Sequence, residues 1–133
     1  MNVYCERIIH LISEYLKEIL YLQKQLIIMV VKFGKEYLRE LFEEGGGSDK
    51  HHRYQPQVVR KYLLRVVTLQ NAPNIESLYP LHSLNYGVLT GDKAGISSIR
   101  IDNQYRLEFV VDVDSAEPIV AICTLEDITN HYK

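Results

Sequence analysis

The sequence predicts an α+β fold, with two helices packed on one face of a mostly antiparallel sheet of four or five strands and an extra amphipathic helix in front. Three observations predict it. From Ser98 to Phe109, apolar side chains alternate with polar ones on both sides of a turn, the period of a half-buried hairpin. Around Tyr37 and again around Tyr62, apolar residues recur three and four apart, the period of a helix with one buried face. The run Ile119 to Leu125 is apolar except for Thr124, as suits a strand of central character.

The elements follow in chain order. Cys5, Ile8, Ile12, Tyr15, Ile19, Leu22 and Leu26 form the seam of a first helix, widened by Ile9, Leu11, Leu16 and Leu20. That much apolar surface calls for cover, from its own domain, a second copy or a partner protein. Leu26 to Phe33 is short, dense and rich in β-branched residues, and reads as a buried strand. A second helix starts at Lys35 with Tyr37, Leu38, Leu41 and Phe42 on one face, and Gly45 supplies its stop. Gly45 to Lys50 is a flexible connection, followed by the polar cluster His51, His52 and Arg53. Pro56 opens a third helix whose core stripe is Val58 or Val59, Tyr62, Leu63, Val66 and Leu69, ending near Asn71-Ala72-Pro73. Leu81 to Leu89 reads as a strand or extended segment, Gly91 to Gly95 as a turn, and Asp112 to Pro118 as a polar turn before the last strand.

The hairpin carries the sharpest expectation. A two-residue loop would pair Ile101 with Gln104 and scatter apolar side chains over both faces, which register forbids when one side is core. A three-residue loop, Asp102-Asn103-Gln104, pairs Ile101 with Tyr105 and Ile99 with Leu107. Arg100 then faces Arg106 on the other side of the sheet, a like-charge cross-strand pair that costs a few tenths of a kcal/mol or more. Taken alone, a solvated face neutralised by Glu108 and water accounts for that pair. Two planar forks on neighbouring strands also suit a phosphate.

Size and composition narrow the classes. The 133 residues, 47% of them hydrophobic, fit one compact domain with an appended element, divided here as residues 1–28 and 29–133. A net charge of -2 argues against a polycationic nucleic-acid surface and leaves room for a local basic cluster. Two cysteines, Cys5 and Cys123, fit a reduced compartment, with the cytoplasm as the default. Charges from Glu6 to Lys24 interrupt the apolar N-terminal stretch, which therefore reads as an amphipathic helix and not as a membrane anchor. Adjacent His51 and His52 and two widely separated cysteines give no metal-ligand spacing, and Gly45 to Gly47 lacks the strand and lysine of a nucleotide loop.

The segments Leu89-Thr90-Gly91-Asp92, Ser98-Ile99-Arg100-Ile101 and Asp102-Asn103-Gln104-Tyr105-Arg106, with the terminal His131 and Tyr132, resemble the RelE/ParE superfamily of bacterial toxins. Within it the likeness is to the HigB, or plasmid-maintenance killer, branch. It covers roughly Met29 to Lys133 and is most specific in the hairpin. Thr90 stands where that branch often has lysine, so either Lys93 replaces the charge or it is absent. The end reads His-Tyr where much of the branch reads Tyr-His, and members usually start near the first strand, at a position like Met29.

The resemblance implies a RelE-like fold and the toxin of a type II toxin-antitoxin system, a metal-independent, ribosome-dependent messenger RNA endoribonuclease without cofactor. It implies Arg106, Arg100, His131 and Tyr132 as catalytic residues, and Lys93, Lys133 and Arg53 as RNA contacts. Its partners would be messenger RNA on the ribosome and a helix-turn-helix antitoxin of the HigA kind. Two alternatives stay open: a non-catalytic binding protein of the gyrase-poisoning type, and an inactive member that uses its N-terminal helix for assembly, including a homodimer.

Overall fold

The computed structural model describes residues 3–25, 28–114 and 120–130. Helix α1 (Val3–Gln25) precedes strand β1 (Ile28–Phe33), helices α2 (Glu36–Glu44) and α3 (Pro56–Asn71), and strands β2 (Gly87–Val88), β3 (Ser97–Arg100), β4 (Tyr105–Asp114) and β5 (Val120–Asn130). The sheet runs β1-β5-β4-β3-β2. Only β1 and β5 pair in parallel, and every other pairing is antiparallel. The α+β expectation holds, with α2 and α3 on one face.

Local chemistry explains the helix ends. Pro56 at the first turn of α3 lacks an N–H that would have had no partner there. Gly45 caps α2 at φ 76°, the left-handed region that suits a residue without a Cβ. Gly34 has a different reason: its N–H donates to the Leu125 carbonyl at 2.8 Å, and a Cβ there would come within 2.6 Å of the same oxygen. That close approach turns the chain from β1 into α2.

One core joins the layers. Tyr62, Val66 and Leu69 of α3 and Leu38 of α2 are fully buried against Ile99, Leu107, Phe109, Cys123 and Leu125 of the sheet. The Tyr62 hydroxyl donates to the Leu38 carbonyl at 2.7 Å, so the largest buried side chain leaves no polar atom unmet. The hairpin register is the expected one: Ile99 pairs with Leu107, Arg100 with Arg106, and the Ile101 N–H donates to the Tyr105 carbonyl at 3.0 Å. The Asp102 carboxylate closes the turn by accepting from the N–H groups of Gln104 and Tyr105.

Four expectations need correction. Strand β1 is an edge strand with Val30 and Lys32 exposed, because β5 lies between it and the rest of the sheet. Leu81 to Leu89 is mostly not a strand: His82–Leu84 forms a 3-10 turn, Asn85 sits at φ 45°, and pairing begins only at Gly87. The polar turn expected from Asp112 does not begin there, since β4 continues to Asp114, and the rest of that segment lies outside the described residues. Strand β5 runs to Asn130, five residues beyond Leu125, through a bulge that shifts register between its pairs with Glu108 and Phe109. Leu26, placed by the sequence at the junction of helix and strand, lies outside the described residues.

Helix α1 has the expected position and composition, and its apolar face is uncovered. Ile8, Ile12, Tyr15, Leu16 and Leu22 are all more than half exposed. No described helix is long and apolar enough to cross a membrane.

Candidate functional site

Side chains alternate across a strand, so burying Leu107 and Phe109 against the helices sends Arg106 and Glu108 to the open face. There Leu89, Lys93, Ser98, Arg106, Glu108, Thr129 and Asn130 line a cleft of about 260 Å³. Its wall is made by the register: Arg106 lies opposite Thr129 on β5 and Arg100 on β3.

Arg106 is anchored by neutral groups. Its Nε donates to Ser98 Oγ at 2.9 Å, and one Nη donates to the carbonyl of Asn85 at 2.8 Å. No described carboxylate pairs with it. Burial lowers the guanidinium's affinity for its proton, the nearby charge of Arg100 adds to the effect, and Glu108 opposes both. The group stays cationic, held in a fixed orientation at an electrostatic cost.

Glu108 is spent elsewhere. Its buried carboxylate accepts from the Lys93 ammonium at 2.7 and 3.0 Å, so the acidic neighbour expected beside Arg100 neutralises lysine instead. The pair sits in the same cleft as Arg106, with the exposed Lys93 reaching the buried Glu108 from a short 3-10 turn, Gly91–Lys93.

Arg100 turns outward. Its Cα faces that of Arg106, and the residue also borders a different groove, of about 510 Å³, with Lys61, Leu64 and Arg65 of α3 and the hairpin loop from Ile101 to Gln104. Arg65 Nε donates to the Arg100 carbonyl at 2.7 Å and ties α3 to the hairpin. The two arginines therefore share a register position, and Arg100 also borders the second cavity.

Arg53 is not in the cleft. It is exposed, directly after the Lys50–His52 turn, beside Tyr54, whose ring meets Tyr105 edge-on at 5.2 Å. Tyr105 belongs to the helix-facing side of β4, opposite to Arg106. His131, Tyr132 and Lys133 lie outside the described residues, and the last described residues before them, Thr129 and Asn130, line the cleft.

Sequence reading missed Ser98, Asn85 and Arg65. Ser98 looked like a solvated alternation residue, yet it is buried because Arg106 folds over it. It also missed a polar latch at the near end of β5. The Tyr37 hydroxyl donates to Asp127 and accepts from the N–H of Ile128 at 2.9 Å, while Lys35 pairs with Asp127 at 3.3 Å. Burial opposes ionisation of Asp127, but Tyr37 and Lys35 outweigh it and hold the carboxyl below its ordinary range. Burial, then Asp127, pushes the Tyr37 phenol up. His52 stacks on the Tyr37 ring at 3.6 Å and holds Asp49 at 2.6 Å. Among the described residues no three His, Cys, Asp or Glu side chains are placed to hold a metal ion.

The chain is similar to a solved structure, the YoeB/ParE toxin from Agrobacterium tumefaciens. The identity is 16% and the TM-score 0.44, over 77% of this chain and 98% of the other. No family model and no curated protein matches the sequence. The chemistry of the cleft accordingly rests on its own side chains.

Proposed function

We propose that this chain is the toxin of a toxin-antitoxin pair, an endoribonuclease that cuts messenger RNA on the ribosome by attack of a ribose 2′-hydroxyl on the adjacent phosphate. The observation that carries the reading is Arg106: a half-buried guanidinium fixed by neutral partners, next to a second arginine, in a cleft open to solvent. A protein gains nothing for its own stability from two guanidinium groups in register. An incoming phosphate relieves that repulsion, and relieves it most when negative charge builds up on the phosphorane.

The chemistry needs three parts. A base takes the 2′-hydroxyl proton, fixed donors hold the phosphorane, and an acid protonates the leaving 5′-oxygen, leaving a cyclic 2′,3′-phosphate and a free 5′-hydroxyl. Arg106 is the principal donor, with Arg100 second. His131 is the proposed base or acid, since an ordinary imidazole titrates near neutrality and the chain reaches it directly after Asn130. Tyr132 stacks on a base or shares the proton transfer. Lys93 releases Glu108 as a phosphate enters, and Lys133 and Arg53 serve as outer contacts. No step is routed through a metal.

A helix-turn-helix antitoxin of the HigA kind and messenger RNA on the ribosome belong to the same proposal, in the cytoplasm. Pairing of two copies through the uncovered face of α1 is its assembly element. Induced expression is expected to arrest growth and translation, and Arg106→Ala to relieve the arrest, because losing one such donor typically costs about 10²–10³ in rate. Primer extension on messenger RNA reads the cuts directly. Full toxicity of Arg106→Ala would sink the assignment, and arrest with DNA damage and intact messenger RNA would transfer the chain to the gyrase-poisoning class.

A further inference from the structure

The second cavity has no place in the reaction just described. It is a groove between α3 and the loop of the β3–β4 hairpin, walled by Lys61, Arg65 and Arg100. Lys61 and Arg65 stand four residues apart on α3 and so share one face of the helix. Arg65 is fixed through its Nε to the Arg100 carbonyl, and burial alone lowers its affinity for a proton. Among the described residues no carboxylate pairs with any of the three. The one acid in the wall, Asp102, already accepts from two backbone N–H groups of its own turn.

Several cations elsewhere in the chain are neutralised by acids. Arg39 on α2 meets Glu36, Glu43 and Glu44, Lys35 meets Asp127, and Lys93 meets Glu108. In a protein of net charge -2, Lys61, Arg65 and Arg100 lining one groove with no described carboxylate partner make a local excess of positive charge. Arg100 stands between the groove and the Arg106 cleft, in register with Arg106. A chain of phosphates that enters one cavity meets the other one cross-strand position away.

We propose that the groove of Lys61, Arg65 and Arg100 binds the phosphate backbone of the same RNA strand whose reacting linkage lies at Arg106. This rests on the reading of the cleft as an RNA site. The groove grips phosphates and not bases: its walls offer guanidinium and ammonium groups, and its apolar lining is aliphatic, Leu64 and Ile101, with no ring for a base to stack on. Its contribution is strand affinity and placement of the linkage.

The test uses the full chain and a single-stranded RNA 12-mer blocked by 2′-O-methyl groups, with binding read by fluorescence anisotropy over a salt series. Lys61 is exposed and lies outside the Arg106 cleft, so Lys61→Gln probes the groove alone. The slope of log affinity against log salt is expected to fall by about 0.7 for Lys61→Gln and by about 1.4 for Lys61→Gln with Arg65→Gln, one released counterion set per lost phosphate contact. Arg65→Lys, which keeps the charge and loses the carbonyl bond, should retain most of the slope, a result that simple unfolding does not give.

Unchanged slopes in both variants would overturn the groove, even if the unblocked RNA is cut by the wild-type chain on ribosomes. Reduced slopes with no cutting anywhere would keep the groove and remove the nuclease. A wild-type chain that does not bind the 12-mer at low salt would overturn the groove proposal.

Discussion

Helices α1 and α3 obey the same spacing rule and meet opposite surroundings. In α3 the residues three and four apart are Val58, Tyr62, Val66 and Leu69, and the last three have no exposed surface. In α1 the corresponding residues, Ile8, Ile12, Tyr15 and Leu22, keep 52–65% of theirs. Periodicity states that a helix has an apolar side. It does not state what covers that side. For α3 the cover is the sheet and α2, which lie within the same chain. For α1 the described residues of the core cluster supply none.

The largest effect should come from α3. Leu69→Ala removes a fully buried side chain where sheet and helix cannot collapse to refill the space, at a cost of about 2–5 kcal/mol. A similar truncation of Ile12 on α1 should cost the monomer's unfolding only a few tenths of a kcal/mol. Urea denaturation of the two variants compares them directly. Equal losses would mean that α1 packs on the body in solution, and the contrast between the helices would disappear.

The same distinction explains how much could be read from sequence. Patterns that report local geometry were legible: the hairpin loop from Asp102 to Gln104, the facing of Arg100 and Arg106, Gly45 as a stop and Pro56 as a start. Features that depend on sheet order were not. Strand β1 is as apolar as a central strand, yet β5 displaces it to the edge through a parallel pairing that bridges almost ninety residues of sequence. The destination of Glu108 was hidden for the same reason. Its closeness to Arg100 along the hairpin is local, whereas Lys93 reaches it from a separate turn. The site was half legible, since register gave the pair of arginines, and only the fold showed that two cavities border them.

A middle-sized effect separates the helices by charge. The latch of Tyr37, Lys35 and Asp127 fastens α2 to β5, while the ion pair described on α1, Glu14 with Lys17, is solvent-exposed and within one helix. Because the Asp127 pKa is depressed in the folded state, its contribution is fully present above the ordinary carboxyl pKa of about 4. It is lost as pH falls through the depressed value. The melting temperature of the wild-type chain should therefore drop steeply below about pH 4, and Asp127→Asn should flatten that limb. Glu14→Gln should leave it as it was. Acid limbs of equal steepness in the wild type and Asp127→Asn would assign the acid sensitivity to other groups.

The smallest effect on stability, and the most informative about assembly, belongs to removal of residues 1–28. Among them the side chains described, in residues 5–22, contribute none to the core cluster, so a chain starting at Met29 should melt within a degree or two of the full one when both are monomeric. Association should change instead. An exposed stripe running from Ile8 to Leu22 is a larger apolar patch than a soluble monomer usually carries, and a second α1 offers the same spacing for knobs to enter holes. Light scattering after size exclusion should give a dimer mass for the full chain and a monomer mass for the shortened one. A full chain that stays monomeric at all concentrations would leave self-pairing out, and a partner helix, such as one of the proposed antitoxin, would become the required cover. Either result fixes what the apolar spacing of α1 left open, and so completes the contrast with α3.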